Sequence, residues 1–126
     1  MDHNVRHYCG IFGIYGTEEA ARLTTLGLHA LQHRGEESSG IATGDGERIY
    51  VHTGMGHVAD VFEAPNVLER LPGHLSIGHN RYSTTGSDNL CNAQPFVAQC
   101  RDGYVAVAHN GNLTNTSPLR TSINSA

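Results

Sequence analysis

YCGIFGIYG at residues 8–16 predicts a short buried strand that begins on a cysteine. Its isoleucines and phenylalanine supply β-branched and aromatic bulk, and its glycines let other backbone approach closely. A cysteine at the start of such a strand is either core filler, because free cysteine is among the most buried residue types, or a nucleophile held at a strand tip. The choice depends on which other residues the fold brings to Cys9.

Length, charge and cysteine spacing narrow the class of protein. The chain has 126 residues, enough for one domain, and its net charge of −4 without a basic cluster argues against nucleic acid as a partner. No apolar run approaches membrane-spanning length, and residues 1–8 lack the apolar stretch of a signal peptide, which favours a cytoplasmic chain. Cys9, Cys91 and Cys100 are widely spaced and indicate neither a disulfide framework nor a zinc site, and we interpret the last two as structural.

One well-formed helix follows the first strand. Thr17 is its expected N-cap, Glu18 and Glu19 are expected in the first turn, and apolar spacing continues to about Gln32. Gly27 lies inside this helix, where glycine costs about 1 kcal/mol relative to alanine. We therefore expect another element to pack closely against Gly27.

Short strands and turns account for the rest of the chain. A polar turn is predicted at 36–39, strands at 40–43, 48–52, 74–82, 96–98 and 104–109, and two short helical turns at 58–63 and 66–71. Because most of these strands are joined as hairpins, the pattern predicts an α+β fold with a sheet stacked on a sheet or on a helix.

Three polar clusters fall at predicted strand ends: Cys9, GHNRYST at 78–84 and HNGN at 109–112. If the strands pair in one sheet, these ends meet and offer a thiol, a guanidinium, hydroxyls and an asparagine amide beside a glycine N–H. That inventory suits acyl transfer from an amide that carries a carboxylate. The thiol would attack, the arginine would clamp the carboxylate, and the amide and N–H would face the oxyanion.

Each of these groups also has a structural interpretation. Asn110-Gly111 is a common turn dipeptide, Arg81 alone is typical of a surface or ion-pair residue, and Cys9 alone is typical of a core. His29 and His33 have the i, i+4 spacing of a metal pair, but no third ligand of suitable spacing joins them. Capping and solvent contact are therefore favoured for the two histidines.

Five motifs together closely resemble one known family. They are CGIFGIYG at 9–16, LQHRGEESSGI at 31–41, GHNRYSTTG at 78–86, AQPF at 93–96 and AHNGNLTN at 108–115. They resemble the N-terminal glutaminase domain of the amidophosphoribosyltransferases, class II glutamine amidotransferases of the N-terminal-nucleophile (Ntn) hydrolase group. The resemblance implies the four-layer αββα sandwich of that group. A short leader before the cysteine and the HRGEESSGI motif favour this family over siblings such as glucosamine-6-phosphate synthase.

The resemblance implies a reaction and a set of site residues. Glutamine would be hydrolysed, and its ammonia transferred to phosphoribosylpyrophosphate (PRPP) to give 5-phosphoribosylamine in purine biosynthesis. Residues 1–8 would be a propeptide, because removing them frees the Cys9 amine, with a reference pKa of about 7.7–8.0, as a base for its own thiol. The implied residues are Cys9, Asn110 and Gly111 (catalytic), Arg81 and Thr84 (substrate-binding), and Arg34 and Tyr82 (supporting). His79 lies in a motif but receives no role.

The chain also departs from the family pattern. Glu36 stands where the family commonly has glutamine, and no Ser-Asp-Thr/Ser-like motif for the glutamine α-amine appears before Ala126. We therefore expect residues 9–126 to be a partial, truncated glutaminase domain with little activity of its own; the alternatives are a non-catalytic remnant or the glutaminase domain of a sibling enzyme.

We expect the phosphoribosyltransferase domain of the family to lie outside these 126 residues. With it would come the PRPP site, Mg²⁺ and any ligands of a 4Fe–4S cluster, so no cofactor is expected in this chain. The full enzyme is expected to be a homo-oligomer.

Overall fold

The structure, a computed structural model, describes residues 9–31, 36–82 and 93–109. Within these ranges the elements, in chain order, are β1 (Gly10–Tyr15), α1 (Ala20–Leu31), β2 (Glu36–Gly44), β3 (Ile49–Met55), α2 (Val58–Phe62), a 3₁₀ turn (Leu68–Arg70), β4 (Leu75–Tyr82), β5 (Phe96–Cys100) and β6 (Gly103–Val107). No helix in the described part of the chain is long and apolar enough to span a membrane.

The main sheet has four antiparallel strands in the order β1-β4-β2-β3. Strand β4 is hydrogen-bonded on both sides, so that Asn80 faces Gly10 of β1 and Ser39 of β2. Strands β5 and β6 form a separate hairpin with Phe96 opposite Val107. The α+β fold predicted from the sequence is confirmed.

The main core lies between one face of the sheet and the helices. Leu28 of α1, Ile41 of β2 and Val58 of α2 are fully buried there. Asn80 ties the sheet to the end of α1, because its amide donates a 2.8 Å hydrogen bond to the carbonyl of Leu28. The last carbonyls of a helix have no partner within the helix, so this buried bond satisfies one of them.

Close packing at Gly27 is confirmed. A Cβ built on Gly27 would overlap the ring of Phe12, coming within 2.5 Å of Cε2 and closer still to Cδ2. Among the glycines of β1, Gly10 is crowded by Leu31, whose Cβ would lie 3.0 Å away, whereas Gly13 has ordinary room. Gly16 ends the strand with a φ of 94°, a conformation that favours glycine.

The β5–β6 hairpin lies on the other face of the main sheet. A cavity of about 110 Å³ between them is lined by residues from both, including Ala42, Ile77 and Ala106. A Cβ on Gly40 would overlap the main-chain carbonyl of Gln94, just before β5. The described residues thus form helices, a sheet and a second two-stranded sheet in layers.

Two local predictions are wrong. Thr17 is not the N-cap of α1, and Glu18 and Glu19 are not in its first turn, because the helix begins at Ala20 and the Glu19 carbonyl accepts the Leu23 N–H. Residues 36–39 are not a turn but the start of β2. This polar stretch is tolerated in the sheet because the buried Ser39 hydroxyl lies within hydrogen-bond distance of the Gly56 carbonyl and the Asn80 side chain.

Candidate active site

The structure brings Cys9 and Arg81 to the same end of the main sheet. Cys9 directly precedes Gly10, which pairs with Asn80, and Arg81 is the next residue of β4. Arg81 in turn pairs with Ser38 of β2, where the register shifts at a bulge. A thiol and a guanidinium from neighbouring strands are therefore adjacent in register, as expected if these strand ends meet.

Strand alternation assigns this pair to the face that carries the hairpin. Gly10 lies on the face of α1, since Leu31 crowds it, so Ile11 and its partner His79 lie on the opposite face. Cys9 is two residues from Ile11, and Arg81 is two residues from His79, so the same alternation places Cys9 and Arg81 on that face as well. Cys9 is half-buried and carries a free thiol.

His79 is a buried polar side chain between the two sheets. It is fully buried, and neither ring nitrogen has a hydrogen-bond partner in the described part of the chain. The pKa of His79 is lowered from 6.5 to about 4, mainly by burial and also by the charges of His109 and Arg81. The His109 backbone lies near enough to offset part of that decrease in pKa, although it does not reach hydrogen-bond geometry. The ring is therefore neutral at physiological pH.

Gln94 connects the hairpin to this region. Its side-chain Oε1 accepts a 2.7 Å hydrogen bond from the main-chain N–H of His109, and the residue is 7 % exposed. AQPF at 93–96 carries part of the family resemblance, but the pattern indicates no role for Gln94. The signal available in the sequence is Pro95, which has no N–H and so favours the end of a strand ladder next to Gln94.

The remaining candidate residues lie largely outside the described residues. Asn110, Gly111, Thr84 and Arg34 do so entirely, as do His33, Cys91 and residues 1–8. For Tyr82 the structure gives the main chain, which pairs with Glu36, but not the side chain.

Cys100 and His29 are exposed, Cys100 as a free thiol at the end of β5 and His29 on α1. The exposure of Cys100 does not fit its interpretation as a structural residue, because β5 is exposed along its length. Across residues 9–31, 36–82 and 93–109, no group of three or more His, Cys, Asp or Glu side chains is arranged to hold a metal ion.

Comparison with known proteins defines the class. The family model described as class II glutamine amidotransferases matches residues 9–124. The chain belongs to this family, and the match begins at Cys9.

Particular relatives are named amidophosphoribosyltransferase. The chain is 55 % identical to the Rhizobium etli protein over 115 residues, which is 91 % of this chain and 23 % of the relative. It is 53 % identical to a chloroplastic Arabidopsis thaliana amidophosphoribosyltransferase over 94 % of this chain and 21 % of the relative. The chain therefore spans less than a quarter of the length of these curated relatives.

Solved structures confirm the Ntn-hydrolase fold. A structure described as the allosteric regulatory enzyme of purine biosynthesis superposes with a TM-score of 0.82 and 42 % identity, over 91 % of this chain and 25 % of that one. Glutamine PRPP amidotransferase from B. subtilis, complexed with ADP and GMP, gives a TM-score of 0.79 and 41 % identity over 91 % of this chain and 24 % of that one. The resemblance noted in the sequence is confirmed.

Proposed function

We propose that this chain is the glutamine-hydrolysing part of an amidophosphoribosyltransferase. Glutamine is hydrolysed at Cys9, and its ammonia is transferred to PRPP, bound by another part of the enzyme, to give 5-phosphoribosylamine for purine biosynthesis. The observation that carries the proposal is the adjacency of Cys9 and Arg81 at one end of the main sheet. In a class II glutamine amidotransferase, this adjacency sets a nucleophile beside a cation that suits the substrate's carboxylate.

The chemistry proceeds through a thioester. The Cys9 sulfur attacks the side-chain amide carbon of glutamine, and the proton of the thiol passes to the Cys9 α-amine. The tetrahedral oxyanion collapses, the C–N bond breaks, and the same proton leaves with ammonia. Water then adds to the thioester and releases glutamate and the thiol, so that glutamine and water give glutamate and ammonia.

The base in this scheme requires the propeptide to be removed. While Tyr8 is attached, the nitrogen of Cys9 is an amide and has no useful basicity. Cleavage between Tyr8 and Cys9 converts it into an amine with a reference pKa of about 7.7–8.0, close to the pH at which it must exchange protons. We therefore propose that residues 1–8 are cleaved from a domain that starts at Cys9.

The residues of the sequence motifs bind glutamine and stabilise the oxyanion in this proposal. Arg81, assisted by Thr84, holds the α-carboxylate of glutamine, with Arg34 and Tyr82 in support. Asn110 and the N–H of Gly111 face the oxyanion, and losing one such donor typically costs about 3–4 kcal/mol of transition-state stabilisation. We further propose a cytoplasmic homo-oligomer whose Mg²⁺ and any 4Fe–4S cluster are held outside this chain.

The test uses the protein expressed from its complete gene. Glutamate release from glutamine is measured for the wild type, for Cys9→Ala and for the matched control Cys100→Ala, which alters an exposed thiol at the end of β5. We expect Cys9→Ala to abolish hydrolysis and Cys100→Ala to leave it unchanged. Hydrolysis that survives Cys9→Ala would disprove the nucleophile. PRPP-dependent formation of 5-phosphoribosylamine by the wild type tests the acceptor.

A further inference from the structure

Gln94 contacts the main sheet and the segment that follows β6. Its main-chain carbonyl packs against Gly40 of β2 so closely that a Cβ there would lie 2.8 Å from the carbonyl carbon and nearer still to the oxygen. Its side-chain Oε1 accepts the His109 N–H at 2.7 Å. The residue is 7 % exposed and stands between Ala93 and Pro95, which are also buried.

The hydrogen bond to His109 replaces a missing connection of the hairpin ladder. The ladder of the hairpin ends at the pair of Phe96 and Val107, and two residues further along each segment the Gln94 side chain accepts the His109 N–H. Pro95, which separates Gln94 from Phe96, has no N–H to donate to a ladder. The Gln94 side chain therefore fixes the main chain beyond β6, where backbone pairing has stopped.

The main chain at His109, which this hydrogen bond holds, leads directly into residues proposed to take part in the reaction. His109 immediately precedes Asn110 and Gly111, the residues proposed to face the oxyanion. Gly40 is paired with His79, two residues before Arg81, so the Gln94 carbonyl rests on the same end of the sheet that holds the substrate clamp. Gln94 thus links the residue that precedes the proposed oxyanion segment to β2, the neighbour of the strand that carries Arg81.

We infer that Gln94 is a positioning residue for glutamine hydrolysis: it sets the oxyanion-binding segment relative to Cys9 through its bond to the His109 N–H. This inference rests on the proposed function. Gln94 touches neither glutamine nor the reacting atoms, so its effect is on the geometry of the oxyanion donors. A displacement of about 1 Å at such a donor is enough to lower a rate about 100-fold.

The test compares variants at Gln94 in the protein expressed from its complete gene. Gln94→Met keeps the length and removes the acceptor, whereas Gln94→Glu keeps an oxygen acceptor whether or not it is ionised. Gln99→Met makes the same chemical change at an exposed glutamine of β5 and is the matched control. We expect Gln94→Met to lower kcat about 100-fold with KM changed less than about threefold, Gln94→Glu to recover to within about tenfold of the wild type, and Gln99→Met to have no effect.

Two further measurements distinguish positioning from a general structural role. Alkylation of Cys9 by iodoacetamide is a displacement at saturated carbon that forms no oxyanion, so its rate should stay within about twofold of the wild type in Gln94→Met. Hydrogen exchange of the His109 amide should become faster in Gln94→Met and stay slow in Gln94→Glu. If Gln94→Met does not fold, Gln94→Asn, whose amide is one methylene too short to reach His109, takes its place.

The possible outcomes separate the two proposals. An unchanged kcat in Gln94→Met, or an equal loss in Gln94→Met and Gln94→Glu, overturns the positioning role. Equal losses of kcat and of alkylation rate show a general structural role and overturn it as well. If Cys9→Ala retains hydrolysis, the proposed function fails; if Cys9→Ala is inactive and Gln94→Met is fully active, only the inference about Gln94 fails.

Discussion

His79 makes the stability of this fold depend on pH. Burial lowers the pKa of His79 to about 4 in the folded chain, against 6.5 for an ordinary histidine. The unfolded chain therefore binds more protons between these two values, so stability is complete above about pH 6.5 and is lost as the pH falls toward 4. At 1.36 kcal/mol for each pKa unit, His79 contributes a loss of up to about 3 kcal/mol across that window.

The expected measurement is the free energy of unfolding as a function of pH. His79→Gln should remove the part of the acid destabilisation that His79 contributes, because glutamine has no proton to bind in this range. His29→Gln makes the same substitution at an exposed histidine of α1 and serves as the control. Identical slopes for His79→Gln and the wild type between pH 6.5 and 4 would show that the ring is accessible to water.

Gly40 is a second residue at which the stability of the fold depends on a single atom. A Cβ there meets main-chain atoms of Gln94, which have no rotamer with which to move away. We expect Gly40→Ala to lower the free energy of unfolding by about 1–3 kcal/mol or more, since this is the usual cost of overpacking. Urea unfolding measures this change. Gly13→Ala is the control, because its nearest neighbours, Ile77 and Ser76, would lie 3.7 Å away. Equal unfolding energies for the two variants would contradict the contact.

The sequence indicates only some of these residue-scale features. Cys9 and Arg81 stand in motifs, and their strand-end positions were enough to predict that they meet. The burial of His79 was not predictable, because its environment includes His109, thirty positions later in the chain. Gly40 looked like an ordinary strand glycine, since its partner Gln94 is brought to it only by the packing of two sheets.

At the scale of elements, the contact between α1 and β1 depends on Gly27. Alanine is a better helix former than glycine by about 1 kcal/mol, but a Cβ at this position overlaps the Phe12 ring. We therefore expect Gly27→Ala to destabilise the fold in spite of its higher helix propensity. In a Phe12→Leu background the ring is gone, so the same change should cost less.

A double-mutant cycle of unfolding free energies measures this coupling. Gly27→Ala, Phe12→Leu and the double variant should give a coupling energy of at least about 0.5 kcal/mol, the range found for residues in contact. Additive effects of the two substitutions would mean that α1 and β1 do not meet at this pair.

Element types were easier to predict than element limits. The apolar spacing predicts the helix, and the glycine inside it predicts a close neighbour at Gly27. The helix and the close neighbour are both confirmed. The start of β2 was predicted as a turn because residues 36–39 are polar, a pattern that is typical of exposed loops. The structure makes this stretch a strand because β4 pairs along it, and a single sequence does not show which strand will be the neighbour.

At the scale of the whole molecule, activity should depend on a free Cys9 amine. A chain that begins with Met directly before Cys9 loses only that methionine during maturation, because the initiator is removed before a small residue, and so needs no propeptide cleavage. We expect it, expressed from the otherwise complete gene, to hydrolyse glutamine as fast as the processed wild type. Glutamate release and intact mass are measured on the same samples.

The unprocessed chain, which retains residues 1–8, tests the same dependence on the Cys9 amine. A chain of wild-type sequence whose mass still includes residues 1–8 should be inactive, because Cys9 then has no amine base. Full hydrolysis by such a chain would contradict the proposed proton transfer. A processed chain that binds no glutamine and hydrolyses none would instead favour a non-catalytic remnant.

The central position of β4 has a consequence for how errors in folding would appear. Strands pair only in whole residues, so a misfolded molecule does not hold Arg81 slightly out of place; a slip of one residue moves it by about 3.4 Å along the strand and exchanges the two faces of β4. His79 would then lie under α1 and Asn80 under the hairpin. A preparation should therefore contain fully competent and fully incompetent molecules with no graded population between them, and its specific activity would count the fraction that paired correctly.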